Sequence, residues 1–176
     1  GGMIAQTTAL EHAGRVRSLT SIMSNTGAPF SGYGKPSATI ALLKPSPPDR
    51  EGAIARVVNL MGVIWGRGFP FEAERVRVVA GEAFDRGLHP AGFLRQLSAI
   101  RASGDRTAAL RKLTVPTLVI HGDDDPLILP WAGMATARAV PEATMMWVRG
   151  MGHSLPTPAW PQMISAIAAH ARAAEG

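Results

Sequence analysis

Val115-Pro116-Thr117-Leu118-Val119-Ile120-His121-Gly122 runs directly into Asp123-Asp124-Asp125-Pro126. The first stretch is short and almost wholly apolar. Such a run suits a strand buried on both faces, as in a parallel sheet. Pro116 is tolerated at the start of a strand, where its missing N–H is least needed. The aspartates and Pro126 close the strand in a loop. Twenty-eight residues beyond Asp125, His153 sits in a second loop, Gly150-Met151-Gly152-His153-Ser154. Between them lie a helical pattern, Trp131 to Val140, and a strand pattern, Thr144 to Val148. One helix between two strands predicts adjacent parallel strands whose carboxyl-end loops lie side by side. An aspartate and a histidine brought together there can pair. The carboxylate then fixes the imidazole tautomer and stabilises the imidazolium when it takes a proton.

Working outward, Met3 to His12 reads as a helix stopped near Gly14, and Val16 to Ser24 as a strand ended by Asn25-Thr26-Gly27-Ala28-Pro29. From Phe30 to about Leu113 no convincing strand is found. Pro47-Pro48-Asp49 opens a helix from about Arg50 to Trp65, and Phe71 to Arg86 forms another, ended by Gly87. Pro90 starts a third, to about Ala102, and Thr107 is expected to cap a short helix through Lys112. Pro158 to Ala173 is a closing helix. Strands alternating with helices imply an α/β fold with a parallel sheet. The helical block is an insertion between two of its strands. Three strands make a small sheet for this much helix, so a segment upstream is expected to complete it.

The 176 residues are long enough for one domain with a core, and 46% of them are hydrophobic. The net charge is +5, carried by 15 arginines and three lysines. They are scattered, with few interleaved aromatics, so nucleic-acid binding is not expected. The most apolar helical stretch, Ala53 to Trp65, is interrupted by Arg56, Asn59 and Gly62, and no membrane span is expected. The chain has no cysteine, which removes disulfides, thiolate metal sites and a cysteine nucleophile. Together these features lead us to expect a soluble, cytoplasmic protein.

The segment Leu118 to Pro126 resembles the acid-bearing strand and loop of α/β-hydrolases, and Gly150 to Ser154 resembles their histidine loop. The beginning, Gly1-Gly2-Met3-Ile4-Ala5-Gln6, looks like the stretch just after the nucleophile in Gly-x-Ser-x-Gly-Gly-Met. It is similar to the elbow of small-molecule esterases such as aclacinomycin methylesterase. The resemblance spans the whole chain, with residues 1–29 and 114–176 like the hydrolase core and 30–113 like the helical cap. It implies Asp125 and His153 as the acid and base of a Ser-Asp-His triad. It also implies Gly1 and Gly2 as elbow and oxyanion support, and a serine two residues before Gly1. The implied activity is carboxylic ester hydrolysis on a small-molecule ester, without cofactor or metal. The implied partner is the missing N-terminal half, as a separate chain or part of the same polypeptide, and this chain alone is expected to be inactive. The same fold also hosts haloalkane dehalogenases, epoxide hydrolases, peptidases and perhydrolases, as well as non-catalytic binding proteins.

The other candidates carry plainer readings. Asp123 and Asp124 are expected to be solvated neighbours of Asp125. His121 is expected to pack or hydrogen-bond near the site, and His12, His89 and His170 to be structural or solvated. His121, Asp123 and Asp125 have zinc-ligand chemistry, but no second histidine accompanies them, so no metal is expected. Trp65 and Phe69, flanking the Gly66-Arg67-Gly68 break, are the expected pocket residues. Ser154 lacks an elbow context and is not expected to be a nucleophile.

Overall fold

The computed structural model describes residues 1–87 and 90–175, leaving His89 outside. Helix α1 (Gly2–Glu11) leads to strand β1 (Leu19–Ile22). Four helices come next: α2 (Pro36–Leu43), α3 (Arg50–Ile64), α4 (Ala73–Asp85) and α5 (Pro90–Ala102). The chain then runs through α6 (Thr107–Leu110), β2 (Thr117–Gly122), α7 (Pro130–Ala139), β3 (Thr144–Val148) and α8 (Trp160–Ala173). The strands form a parallel sheet in the order β1-β2-β3. Every residue of the central strand β2 is buried, as its apolar run required. The first strand is shorter than the sequence suggested. Its ladder with β2 covers only Leu19 to Ile22, because the chain turns away at Met23, whose φ is positive.

Side-chain alternation along β2 sorts the helices into two layers. Leu118 and Ile120 point to one face, where they pack with Val148, Met151 and Met163 of α8. His121 points to the other, against Gly133 of α7. Ser21 pairs in register with Val119 and shares that second face, where it accepts a hydrogen bond from Gln6 of α1 at 3.1 Å. Helices therefore cover both faces of the sheet, as a buried parallel sheet demands. His170, expected at the surface, instead approaches the carbonyl O of Leu19 with its Nε2 at 3.2 Å, tying α8 to β1.

The helical segment leaves and rejoins the sheet at one place. Arg106 is buried, with its guanidinium donating to the Asn25 carbonyl at 3.1 Å, Gln6 Oε1 at 3.2 Å and Ser103 Oγ at 2.7 Å. Its own N–H donates to Thr26 O at 2.8 Å. The two ends of the insertion are thereby fastened to each other and to α1. Within the segment, α3 packs on α4 and α2. Asp49 caps α3, accepting from Gly52 N at 2.8 Å, as the Pro-Pro-Asp sequence indicated. Thr107 does not cap α6. That helix begins from Arg106, and Asp105 accepts from both the Thr107 N–H and hydroxyl. Leu110 and Leu113, counted with the helical segment by sequence, pack with Ala9, Leu19 and Val140 in the cluster beneath the sheet. Helix α2 was not anticipated. Its short Ala- and Leu-bearing stretch carries no polar periodicity, and it starts where Lys35 N donates to Pro126 O at 2.7 Å.

Candidate active site

The acid loop is built from the end of β2. Asp125 is buried, and its Oδ1 accepts from the N–H groups of Leu127 at 2.8 Å and Ile128 at 2.9 Å. These bonds close the turn and fix the carboxylate plane. The other oxygen, Oδ2, lies 2.8 Å from His153 Nδ1. Burial pushes the carboxyl of Asp125 up. His121 and His153, the His153 charge and the Ile128 N–H more than offset this and hold its pKa at about 2. The group is therefore an ionised acceptor at neutral pH, and His153 must carry its proton on Nδ1. Nε2 is left free to act as a base. His153 is partly exposed, at 26% of its side chain, and borders an apolar cavity of about 430 Å³.

The histidine loop is anchored by the end of α3, whose last carbonyls lack intrahelical partners. His153 N donates to Ile64 O at 2.7 Å and Gly152 N to Trp65 O at 2.9 Å. Ser154 Oγ also donates to Trp65 O, at 3.0 Å, so it serves as a tether. This approach leaves no space for a side chain at Gly152, where a Cβ would run into Ile64 O. The two loops are also joined directly. Asp124 N donates to Met151 O at 3.1 Å and Gly150 N to Asp123 Oδ1 at 2.5 Å.

The neighbouring aspartates are thus not merely solvated. Asp123 holds the histidine loop. Asp124 receives a two-pronged contact from Arg67, Nε and NH2 each at 2.9 Å, and also the Arg67 N–H at 2.9 Å. That pairing holds the carboxyl of Asp124 below its usual range. No local pattern marks this pair, because Arg67 comes from the break between α3 and α4.

Trp65 and Phe69 separate. Trp65 is 2% exposed, lines the cavity beside His153, donates from Nε1 to Pro70 O at 3.0 Å and meets Phe71 edge-on at 5.1 Å. Phe69 does not border the cavity. Gly68 N binds Gly150 O at 2.9 Å, docking the break onto the histidine loop and turning Phe69 toward the sheet cluster of Leu118 and Ile120. Gly1 starts α1, its carbonyl accepting from Ala5 N at 2.9 Å. Space around Gly1 is open among the described residues. The close approach falls on Gly2, where a Cβ would meet the side chain of Ser24.

His121 is the residue whose role the sequence understated. It is fully buried, with Nε2 2.9 Å from Ile128 O and 3.4 Å from Asp125 Oδ2. Both neighbours are acceptors, so Nε2 carries the proton, and the buried Nδ1 has no partner among the described residues. His121 thereby pins the far end of the acid loop to the strand that begins it. The signal available was its place four residues before Asp125. His121→Phe should lose about 1–3 kcal/mol in urea denaturation. Removing a donor beside Asp125 lets that carboxyl titrate higher, so the loss of stability on acidification should begin at a higher pH, and His121→Gln should restore part of both.

The parallel sheet, helices on both faces and Asp–His pair at the carboxyl ends of adjacent strands are the α/β-hydrolase fold, here its C-terminal portion with a helical insertion. Among curated proteins the chain is similar to the rhodomycin D methylesterases DnrP of Streptomyces peucetius, 32% identical over 140 residues, and DauP of Streptomyces sp. strain C5, 29% identical over 137. Each match covers 76% of this chain, which spans 44% of the length of either relative. No protein-family model matches the chain. Among solved structures it resembles a 2-hydroxy-6-oxo-6-phenylhexa-2,4-dienoate hydrolase from Rhodococcus, at 18% identity and TM-score 0.70, covering 98% of this chain and 61% of that one. It also resembles a thermophilic esterase from Thermogutta terrifontis, at 21% identity and TM-score 0.70, covering 99% and 62%. Among the described residues, no helix is long and apolar enough to cross a membrane.

Proposed function

We propose that this chain is the acid- and base-bearing part of a serine ester hydrolase acting on a small-molecule ester. The observation that carries this reading is the buried Asp125 accepting from Nδ1 of a partly exposed His153 beside an apolar cavity. His153 Nε2 takes the proton of a serine hydroxyl as it attacks the acyl carbonyl, then returns it to the leaving alcohol. Asp125 stabilises the imidazolium formed between the two steps. Water repeats the sequence to release the acid. The serine is placed two residues before Gly1, where the N-terminus of α1 directs its dipole at the developing oxyanion.

The remaining strands and both oxyanion N–H donors come from the segment preceding Gly1. The position of β1 at an edge of the sheet, with Leu19 and Ser21 buried, supports that arrangement. Residues 30–113 supply the cap, with Leu110 and Leu113 packed into the core. The similarity to methylesterases favours a small alkyl ester. A fluorophosphonate probe should label one serine in the complete hydrolase and nothing in residues 1–176. Failure to label the complete protein, with no turnover of 4-nitrophenyl acetate, would remove the serine-hydrolase reading.

A further inference from the structure

The cavity beside His153 has a neighbour. A second chamber of about 580 Å³ lies wholly within the helical segment, walled by α3, α4, α5 and the turn after α2. The two chambers share Val57, Ala80 and Ala83 as lining. These are short side chains on facing turns of α3 and α4, and Ala83 is exposed. Phe84, Phe93 and Leu94 line the far chamber and do not reach the near one. Taken together, the chambers approach the upper end of the range for ligand sites, roughly 300–1,000 Å³.

Of the three formal charges on the walls, those of Arg56 and Arg75 are engaged, and the third is Lys44, an exposed residue just after α2. Arg56 donates from Nε to Lys44 O at 2.6 Å and from NH2 to Leu42 O at 2.9 Å, closing the end of α2. Arg75, on the near chamber, is held by Glu72 and by Leu155 O, and lies over the rings of Trp65 and Trp160. Among the described residues, no acidic side chain lines either chamber. The combined lining is mostly hydrocarbon, with His153 at one end and the exposed Lys44 beside the far chamber.

We infer that the far chamber is a second binding subsite, which takes the apolar part of the acyl group most distant from the scissile ester. The preferred substrate is then an ester of a large apolar acid, which reaches past Val57, Ala80 and Ala83 into the helical segment. This inference rests on the ester-hydrolase reading. Each methylene buried is worth about a fourfold gain in affinity, so an acyl chain that reaches the far chamber should be selected strongly over acetate.

The test compares kcat/KM for the 4-nitrophenyl esters of acetic and decanoic acid in the complete hydrolase, with calorimetric binding of decanoate as a readout independent of turnover. Ala83→Trp narrows the shared wall without overfilling a buried position. Leu94→Glu places a charge in the far chamber alone. Both variants should lower the decanoate-to-acetate ratio of kcat/KM at least tenfold and weaken decanoate binding by a similar factor. A ratio and an affinity within twofold of the parent in both variants would overturn the inference while leaving acetate hydrolysis, and the ester-hydrolase reading, intact. If neither ester is turned over, that reading fails by itself, and decanoate binding still decides whether the subsite exists.

Discussion

His153→Ala should lower kcat of the complete hydrolase by about 10⁴- to 10⁶-fold with little change in KM. The imidazole touches the reacting atoms only as the proton moves, so its loss raises the barrier without removing ground-state contacts. The fold should survive the change. His153 is held through its backbone N–H on Ile64 O, and that bond does not depend on the side chain. The structural cost is the unpaired Oδ2 of Asp125, which keeps only the 3.4 Å contact from His121. Steady-state kinetics on an ester substrate, with circular dichroism to verify folding, check the result. Hydrolysis that persists undiminished in the variant would show that another group is the base.

Asp125→Asn should cost about 10⁴-fold in kcat. The amide keeps an acceptor for the N–H groups of Leu127 and Ile128, so the loop should hold. What changes is the proton on the imidazole. A carboxylate accepts from Nδ1 and leaves Nε2 free, whereas an amide NH2 facing Nδ1 favours the opposite tautomer and places the proton on the nitrogen that must act as base.

The same carboxyl makes the fold sensitive to acid. Its pKa falls from 3.8 to about 2 on folding. The stabilisation is fully present above the unfolded value and is lost as pH falls through the folded one. For a single buried carboxylate with this shift it amounts to roughly 2 kcal/mol. Urea denaturation between pH 6 and pH 2 should show this fall in the parent and a shallower one in Asp125→Asn. Equal slopes would mean that Asp125 is not held ionised by its neighbours.

Much of this was legible along the chain. The apolar run ending at Gly122, the Asp-Pro turn and the Gly-x-Gly-His loop defined two parallel strands with an aspartate and a histidine in the loops at their ends. The reason is physical. Burial on both faces leaves β2 no polar alternation, and one helix between two parallel strands brings their carboxyl ends together. Pro47-Pro48-Asp49 also marked a helix start correctly, because an N-cap is a local interaction spanning three residues.

Where local pattern was silent, the partner lay far away in the chain. Phe69 went to the sheet because Gly68 met Gly150, 82 positions later. Asp124 gained Arg67 at a separation of 57, and the ends of the insertion were joined by Arg106 reaching back 81 residues to Asn25. Helix α2 escaped notice because it is set by partners distant in sequence, its start tied to the acid loop at Pro126 and its body packed on α3. The adjacency of the last two strands thus comes from local pattern, and the choice of Asp125 and His153 as the pair from the family resemblance of their loops. The tautomer of His121, the use of three successive aspartates for three different contacts, and the two chambers were decided only when distant segments packed, since hydrogen-bond geometry and cavity walls exist only between side chains that tertiary structure brings together.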